Sequence, residues 1–112
     1  MAIITWEDFT RVELRVGQIT KAEVFAAAHK PAYILHVDFG SDIGIKKSSA
    51  QITALYTPEE LIGRLVVGVV NFPKKQIGPF MSECLITGFH NENNEVVLCI
   101  PDRPVPPGTR LL

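Results

Sequence analysis

The alternation that begins at Val12 is broken once, and that break limits what the chain can become. Val12, Leu14 and Val16 alternate with Glu13 and Arg15, the period of a strand with one buried face. The phase slips at Gly17-Gln18 and resumes at Ile19, running on to Val24. A glycine at a phase slip reads as a β-bulge, and a bulge lets one long strand bend around a barrel.

The remaining segments are short, cut by glycine and proline, with no linker, low-complexity tract or internal repeat. Thr5-Trp6-Glu7-Asp8 has the form of a capping box, which predicts a short helix over residues 5–11. Tyr33, Leu35, Val37 and Phe39 give the apolar face of a second strand, with His36 and Asp38 on its other face. Gly40 to Gly44 reads as a turn and Ile45 to Ile52 as a third strand. Thr57-Pro58-Glu59-Glu60 opens a second helix, with Thr at the N-cap, Pro in the first turn and acids near the N-terminus. That helix stops by Gly63. Strands are expected over Arg64–Val70, Cys84–Phe89 and, after the Asn91–Asn94 turn, Glu95–Ile100.

Six or so short strands, one small helix and a Gly-bulged first strand predict an all-β fold with short helices. The architecture that fits is a five-stranded Greek-key barrel of the oligonucleotide/oligosaccharide-binding type, with N- and C-terminal extensions. An SH3-like barrel or a small sandwich is the alternative. The 112 residues suffice for one domain, residues 1–112, and are too few for two. Two expected strands, Arg64–Val70 and Glu95–Ile100, are apolar on both faces and need cover on both sides. The segment PDRPVPPGTRLL could supply the outer cover. A second copy of the chain is the expected one, because an exposed Val-Val-Gly-Val-Val face is a patch that monomers avoid.

No apolar run reaches the length of a membrane span, and MAIITWEDF lacks the features of a signal peptide. A cytoplasmic protein with no membrane insertion is expected. Cys84 and Cys99 lie in apolar segments and read as reduced, buried thiols rather than a disulfide.

Catalytic machinery is hard to assemble from these residues. His29, His36 and His90 are far apart in sequence, without the short spacings of metal sites. Cys84 has no histidine beside it, and the eight glycines form no phosphate-cradling loop. The chain therefore reads as a binding protein, with no metal, no cofactor and no enzymatic activity expected.

Charge gives the first hint of what is bound. The net charge is −1, yet Gly44 to Lys75 carries +3 and the remainder −4, an asymmetry that can steer an anion to one face. The stretch NFPKKQIGPFMSECL, residues 71–85, sets Lys74 and Lys75 before a Gly-Pro turn and between Phe72 and Phe80. Adjacent cations flanked by aromatic rings on a loop held by strands suit a phosphate backbone with exposed bases.

A likeness to known proteins runs through the same residues. It rests on Val12-Glu13-Leu14-Arg15-Val16-Gly17, Lys30-Pro31-Ala32-Tyr33 and Gly44-Ile45-Lys46-Lys47-Ser48-Ser49-Ala50-Gln51-Ile52. Tyr56, the Pro58–Gly63 helix, Val70-Asn71-Phe72 and Lys75-Gln76-Ile77…Phe80…Ser82-Glu83 extend it. In these features the chain resembles the CsaA-type proteins, small homodimers within the broader tRNA-binding-domain family. The resemblance implies an export-related chaperone for unfolded or signal-bearing polypeptides, on a fold that binds tRNA by its shape. In the synthetase-attached modules of that family a Ser-(Glu/Gln)-Gly-Met run helps form the RNA surface. Here Ser82 and Glu83 match, while Cys84 and Leu85 stand where Gly and Met would be.

Two sets of site residues follow. Lys46, Lys47, Lys74 and Lys75, with Ser82 and Glu83, are the expected tRNA contacts, because folded RNA is met through phosphates and exposed bases rather than its deep groove. Tyr33, Phe39, Phe72, Ile77, Phe80 and Met81 are the expected lining of a peptide groove.

Overall fold

Residues Leu14–Val24 form one strand of eleven residues, and the other elements arrange themselves on it. The computed structural model describes all 112 residues. In chain order the elements are α1 (Trp6–Thr10), β1 (Leu14–Val24), β2 (Tyr33–Asp38), β3 (Ile45–Ala50), α2 (Pro58–Leu61) and β4 (Leu65–Val69). After these come β5 (Lys75–Ile77), β6 (Phe80–Ser82), β7 (Leu85–Ile86), β8 (Gly88–His90) and β9 (Val96–Leu98).

β1 is long enough to serve two partners. Its first half, Leu14–Gln18, pairs with β4, and its second half, Gln18–Val24, pairs with β2. β2 pairs with β3, and β4 with β7, all antiparallel, giving the order β3-β2-β1-β4-β7. Three consecutive strands followed by a fourth that returns beside the first are a Greek key. The sheet curls until β3 approaches the Ser82–Cys84 segment, so the fold is a nearly closed barrel of the oligonucleotide/oligosaccharide-binding type.

The bend in β1 is real, but it lies at Thr20. Pairing with β2 shifts register between Ile19 and Lys21, and the Thr20 hydroxyl donates to the His36 carbonyl at 3.2 Å. Gly17 sits in regular pairing with Val66. Its lack of a side chain serves packing instead: a Cβ there would stand 2.4 Å from Val37 Cγ1 and 2.7 Å from Phe39 Cε1. Gly68 makes room for the same ring, with a would-be Cβ 2.8 Å from Phe39 Cζ. The sequence shows a glycine and a phase slip together, and the two have separate causes.

The core gathers Ile19, Leu35, Val37, Phe39, Leu61 and Val66, all fully buried. Burying each such side chain stabilises the fold by about 1.5–3 kcal/mol. Leu61 comes from α2, whose start is fixed by a reciprocal capping box between Thr57 and Glu60. α1 has the same device between Thr5 and Asp8, but buries none of its residues. Val12 belongs to the turn closing α1, where its N–H donates to the Phe9 carbonyl, and is exposed rather than part of β1.

Val66, Val67, Gly68 and Val69 are all buried within the single chain. The two-sided apolar pattern of β4 is thus satisfied without a second copy, whereas Val97 and Ile100 of the other two-sided segment stay exposed. The tail beyond Pro107 runs antiparallel to the start of β1, on the edge that β2 leaves free. Gly108 N–H donates to Val16 O at 2.7 Å, Val16 N–H to Thr109 O at 2.9 Å and Leu111 N–H to Leu14 O at 2.9 Å.

The strand expected over Cys84–Phe89 is divided into β7 and β8, and the latter turns away to pair with β9. Asn91 closes that hairpin, its side-chain oxygen accepting from the N–H groups of Asn93 and Glu95. Cys84 and Cys99 are both free thiols. No helix is long and apolar enough to cross a membrane.

Candidate binding cleft

The barrel closes at its last seam by side chains standing in for backbone. Along the outer edge of β3, Glu83 N–H donates to the Lys47 carbonyl at 2.7 Å. The neighbouring bonds that a strand would supply are made otherwise. Glu83 Oε1 accepts the Lys47 N–H at 2.9 Å, and Ser82 Oγ accepts the Ser49 N–H at 3.3 Å while donating to the Cys84 carbonyl. Two exposed donors of an edge strand are thereby satisfied without a further strand.

Beside this seam opens a cleft of about 540 Å³. One wall is the end of β3, from Ser49 to Ile52; the other is Phe72, Pro73, Lys75 and Ile77, ahead of and along β5. Ser82, Cys84, Leu85, Ile86 and Val96 complete it, so most of its lining is apolar. Burial pushes the Cys84 thiol up to about 12, against the opposing charge of Lys46, so it stays protonated at neutral pH and contributes apolar surface. Asn71 fixes the entry to this wall. Its Oδ1 accepts the Glu13 N–H at 3.0 Å and its Nδ2 donates to the Arg11 carbonyl at 2.7 Å, pinning the end of β4 just before Phe72.

Of the six residues expected to line a peptide groove, Phe72 and Ile77 do so, and Phe72 is 55% exposed. Phe39 and Tyr33 do not: Phe39 is at the barrel centre and Tyr33 is buried with its hydroxyl donating to the Tyr56 carbonyl at 2.7 Å. Both lie on the β2 face that points inward, which removes them from any external groove. Phe80 packs edge-on against Phe25 with centroids 5.5 Å apart, and Met81 is exposed outside the cleft. Sequence reasoning missed Ile52, Ile86 and Val96, which look like ordinary strand residues until the seam turns them to one opening.

The cations also separate. Lys46 pairs across the sheet with the buried Val37, whereas Lys47 pairs with His36 on the outer face. Directly opposed residues share a face, so the two lysines leave β3 on opposite sides. Lys47 Nζ lies 5.7 Å from the centre of the Phe80 ring. Lys74 Nζ is 3.5 Å from Glu83 Oε2, so its charge is already met. Lys46, Lys47 and Lys75 have no carboxylate partner. Ser82 is buried with its hydroxyl engaged on both sides, which corrects its expected role as a phosphate contact. Glu83 is held below the ordinary glutamate range, chiefly by the Lys47 N–H bond and further by the charges of Lys74 and Lys47, with burial opposing. No group of three or more His, Cys, Asp or Glu side chains converges as a metal site would require.

Residues 14–110 match the family described as "Putative tRNA binding domain". The chain is similar in structure to the chaperone CsaA of Bacillus anthracis str. Ames, with TM-score 0.92 and 47% identity, over 99% of this chain and 100% of that one. The CsaA chaperone protein of Picrophilus torridus gives TM-score 0.92 and 44% identity, over 98% of this chain and 100% of that one. A methionine–tRNA ligase of Leptospira biflexa serovar Patoc (strain Patoc 1 / Ames) is 38% identical over 108 residues. That match covers 96% of this chain and 15% of the ligase, so the chain spans a small part of the curated relative.

Proposed function

This chain belongs to the tRNA-binding-domain family, among its CsaA-type members, and on that premise we propose that it is a cytoplasmic chaperone holding apolar stretches of unfolded or signal-bearing polypeptide. It acts by binding, without chemistry of its own. The observation that carries this reading is the open cleft beside the β3 seam, apolar on its walls and lysine-bearing at its rim. A volume of about 540 Å³ accommodates a few side chains of an extended segment, within the ordinary range of binding clefts. Phe72 and Ile77 are the anchors.

A homodimer belongs to the same reading. Ile3, Ile4, Trp6 and Val12 are exposed at the N-terminal end, and Leu111 and Leu112 at the C-terminal end. Arg110 donates to the Thr10 carbonyl, which brings these two ends together into apolar surface of the kind that a second copy covers.

Titration of a labelled apolar peptide tests the chaperone role. Phe72→Ser and Ile77→Ser are expected to weaken binding by about 1–2 kcal/mol each, roughly 5- to 30-fold. An unfolded client is held from aggregating at near-stoichiometric ratio without ATP. Peptide affinity unmoved by either substitution, or no binding at all, would sink the reading.

A second reading, binding of tRNA, is favoured by Lys75 on the cleft wall and by Lys46 and Lys47 on β3, none of which has a carboxylate partner. Such binding falls steeply with salt, in proportion to the phosphates neutralised. Competition separates the two: peptide that displaces tRNA marks one shared surface, and joint binding marks two.

A further inference from the structure

Glu83 occupies an unusual position, because one carboxylate does two unrelated jobs. Oε1 accepts the Lys47 N–H and holds the barrel seam, while Oε2 lies 3.5 Å from the Lys74 ammonium. The group sits beside Lys74 and Lys47, next to the cleft-lining Lys75, and its side chain is only 22% exposed, so water screens it incompletely. Its requirement at the seam means that it cannot swing away when an anion approaches. Lys74 stays 64% exposed with donors to spare, so an incoming phosphate meets its ammonium together with the fixed negative charge of Glu83 rather than alone. The neighbouring Lys75, on the cleft side, carries no such burden.

We propose that Glu83 is a specificity-determining residue that withholds Lys74 from anionic ligands, leaving a rim weak toward polyanions and open to apolar peptides. The inference rests on reading the lysine rim as an anion-facing surface. It is distinct from the clasp, because a glutamine at this position keeps an oxygen for the Lys47 N–H and loses only the charge facing Lys74. Seam and selectivity can thus be separated by one substitution.

The test uses salt elution of the intact protein from phosphocellulose, a phosphate polyanion independent of any tRNA. Glu83→Gln is expected to elute at higher salt than wild type, by the equivalent of one added phosphate contact. In solution that is a change of about 0.9 in the logarithmic salt slope, or about threefold in affinity between 50 and 200 mM salt. Glu92→Gln, which makes the same charge change in the remote β8–β9 turn, should shift elution far less. Adding Lys74→Ala to Glu83→Gln should abolish the gain. In the native background Lys74→Ala should cost less retention than Lys75→Ala, since Lys74 is already met.

Equal shifts for Glu83→Gln and Glu92→Gln would overturn the proposal. So would a gain that survives loss of Lys74, or equal costs for the two lysine substitutions. The lysine comparison decides alone if Glu83→Gln does not fold. The same proteins titrated with tRNA separate the two claims: the predicted order on phosphocellulose without tRNA binding removes the RNA reading and leaves the role of Glu83 standing.

Discussion

The two sides of this barrel are built on different terms. Along β1 the approaches are backbone ladders, with β2, β4 and the C-terminal tail each hydrogen-bonded to the strand and one register shift, at Thr20, against β2. Along the free edge of β3 one backbone bond is joined by two that depend on the side chains of Ser82 and Glu83. Ladders form from any sequence with the right period, whereas a side-chain clasp depends on particular atoms at particular places. The first side encloses a core with no solvent access. The second leaves a cleft beside it. The opening sits where closure is conditional, because a fully laddered wall leaves neither a gap nor a polar group to spare.

The largest effect should come from damage to the laddered side. Phe39→Ala removes the ring that fills the space left by Gly17 and Gly68, and should cost about 3–5 kcal/mol in urea unfolding. A domain of this size has only about 5–15 kcal/mol to lose, so little folded protein is expected at 37 °C. A loss below about 1 kcal/mol would show that the ring is not the keystone of that side.

A smaller, local effect is expected at the seam. Glu83→Ala leaves the Lys47 N–H without its acceptor and should cost about 1–3 kcal/mol. Hydrogen exchange should place the loss at Lys47 and Ser49 while the β1–β2 amides keep their protection. The contribution is also pH-dependent. The folded value of Glu83 lies below the unfolded one, so its stabilisation is complete above the ordinary glutamate range. It is lost as pH falls through the depressed folded value. Glu83→Gln should flatten that part of the acid limb. A uniform loss of protection over the whole barrel in Glu83→Ala would erase the difference between the two sides.

What was legible in the sequence follows the same division. The alternation of Leu14 and Val16, and of Tyr33 through Phe39, announces strands because burial of one face imposes period two. Both capping boxes could be read for a similar reason, since each is a contact between residues three apart. The glycine points to a bulge three residues before the real one because Gly17 answers to a ring on another strand, information that its neighbours in sequence do not carry. The site was harder still. Phe39 and Phe72 are both aromatic residues at strand ends, yet one fills the core and the other faces solvent, and the difference lies in the direction each strand end takes. Lys46 and Lys47 look like one cationic pair in sequence, while the pleat sends them to opposite faces. In the sequence Ser82 and Glu83 stand out only as RNA contacts; their use as substitutes for a missing strand requires knowing that β3 has a free edge there.

The smallest change in stability should give the most selective report on the seam. Cys84 lies in the cleft against that seam, with its thiol pushed up to about 12, so at pH 8 the thiolate fraction is on the order of 10⁻⁴. In a Cys99→Ala background, alkylation by iodoacetamide should be slow in the native protein, because both burial and protonation oppose it. Opening of the seam removes both obstacles at once and leaves the core of the laddered side intact. Glu83→Ala should therefore accelerate labelling of Cys84 by roughly 5- to 150-fold, the factor corresponding to about 1–3 kcal/mol of lost closure, and further at lower urea than global unfolding requires. Thr57→Ala, which loosens the cap of α2 by about 1 kcal/mol and touches neither side-chain bond of the seam, should leave the native labelling rate nearly unchanged. If both substitutions raised the rate equally, Cys84 would be reached only by unfolding of the whole barrel. The seam would then be as firmly closed as the ladders, and the cleft beside it a fixed feature rather than a conditional one.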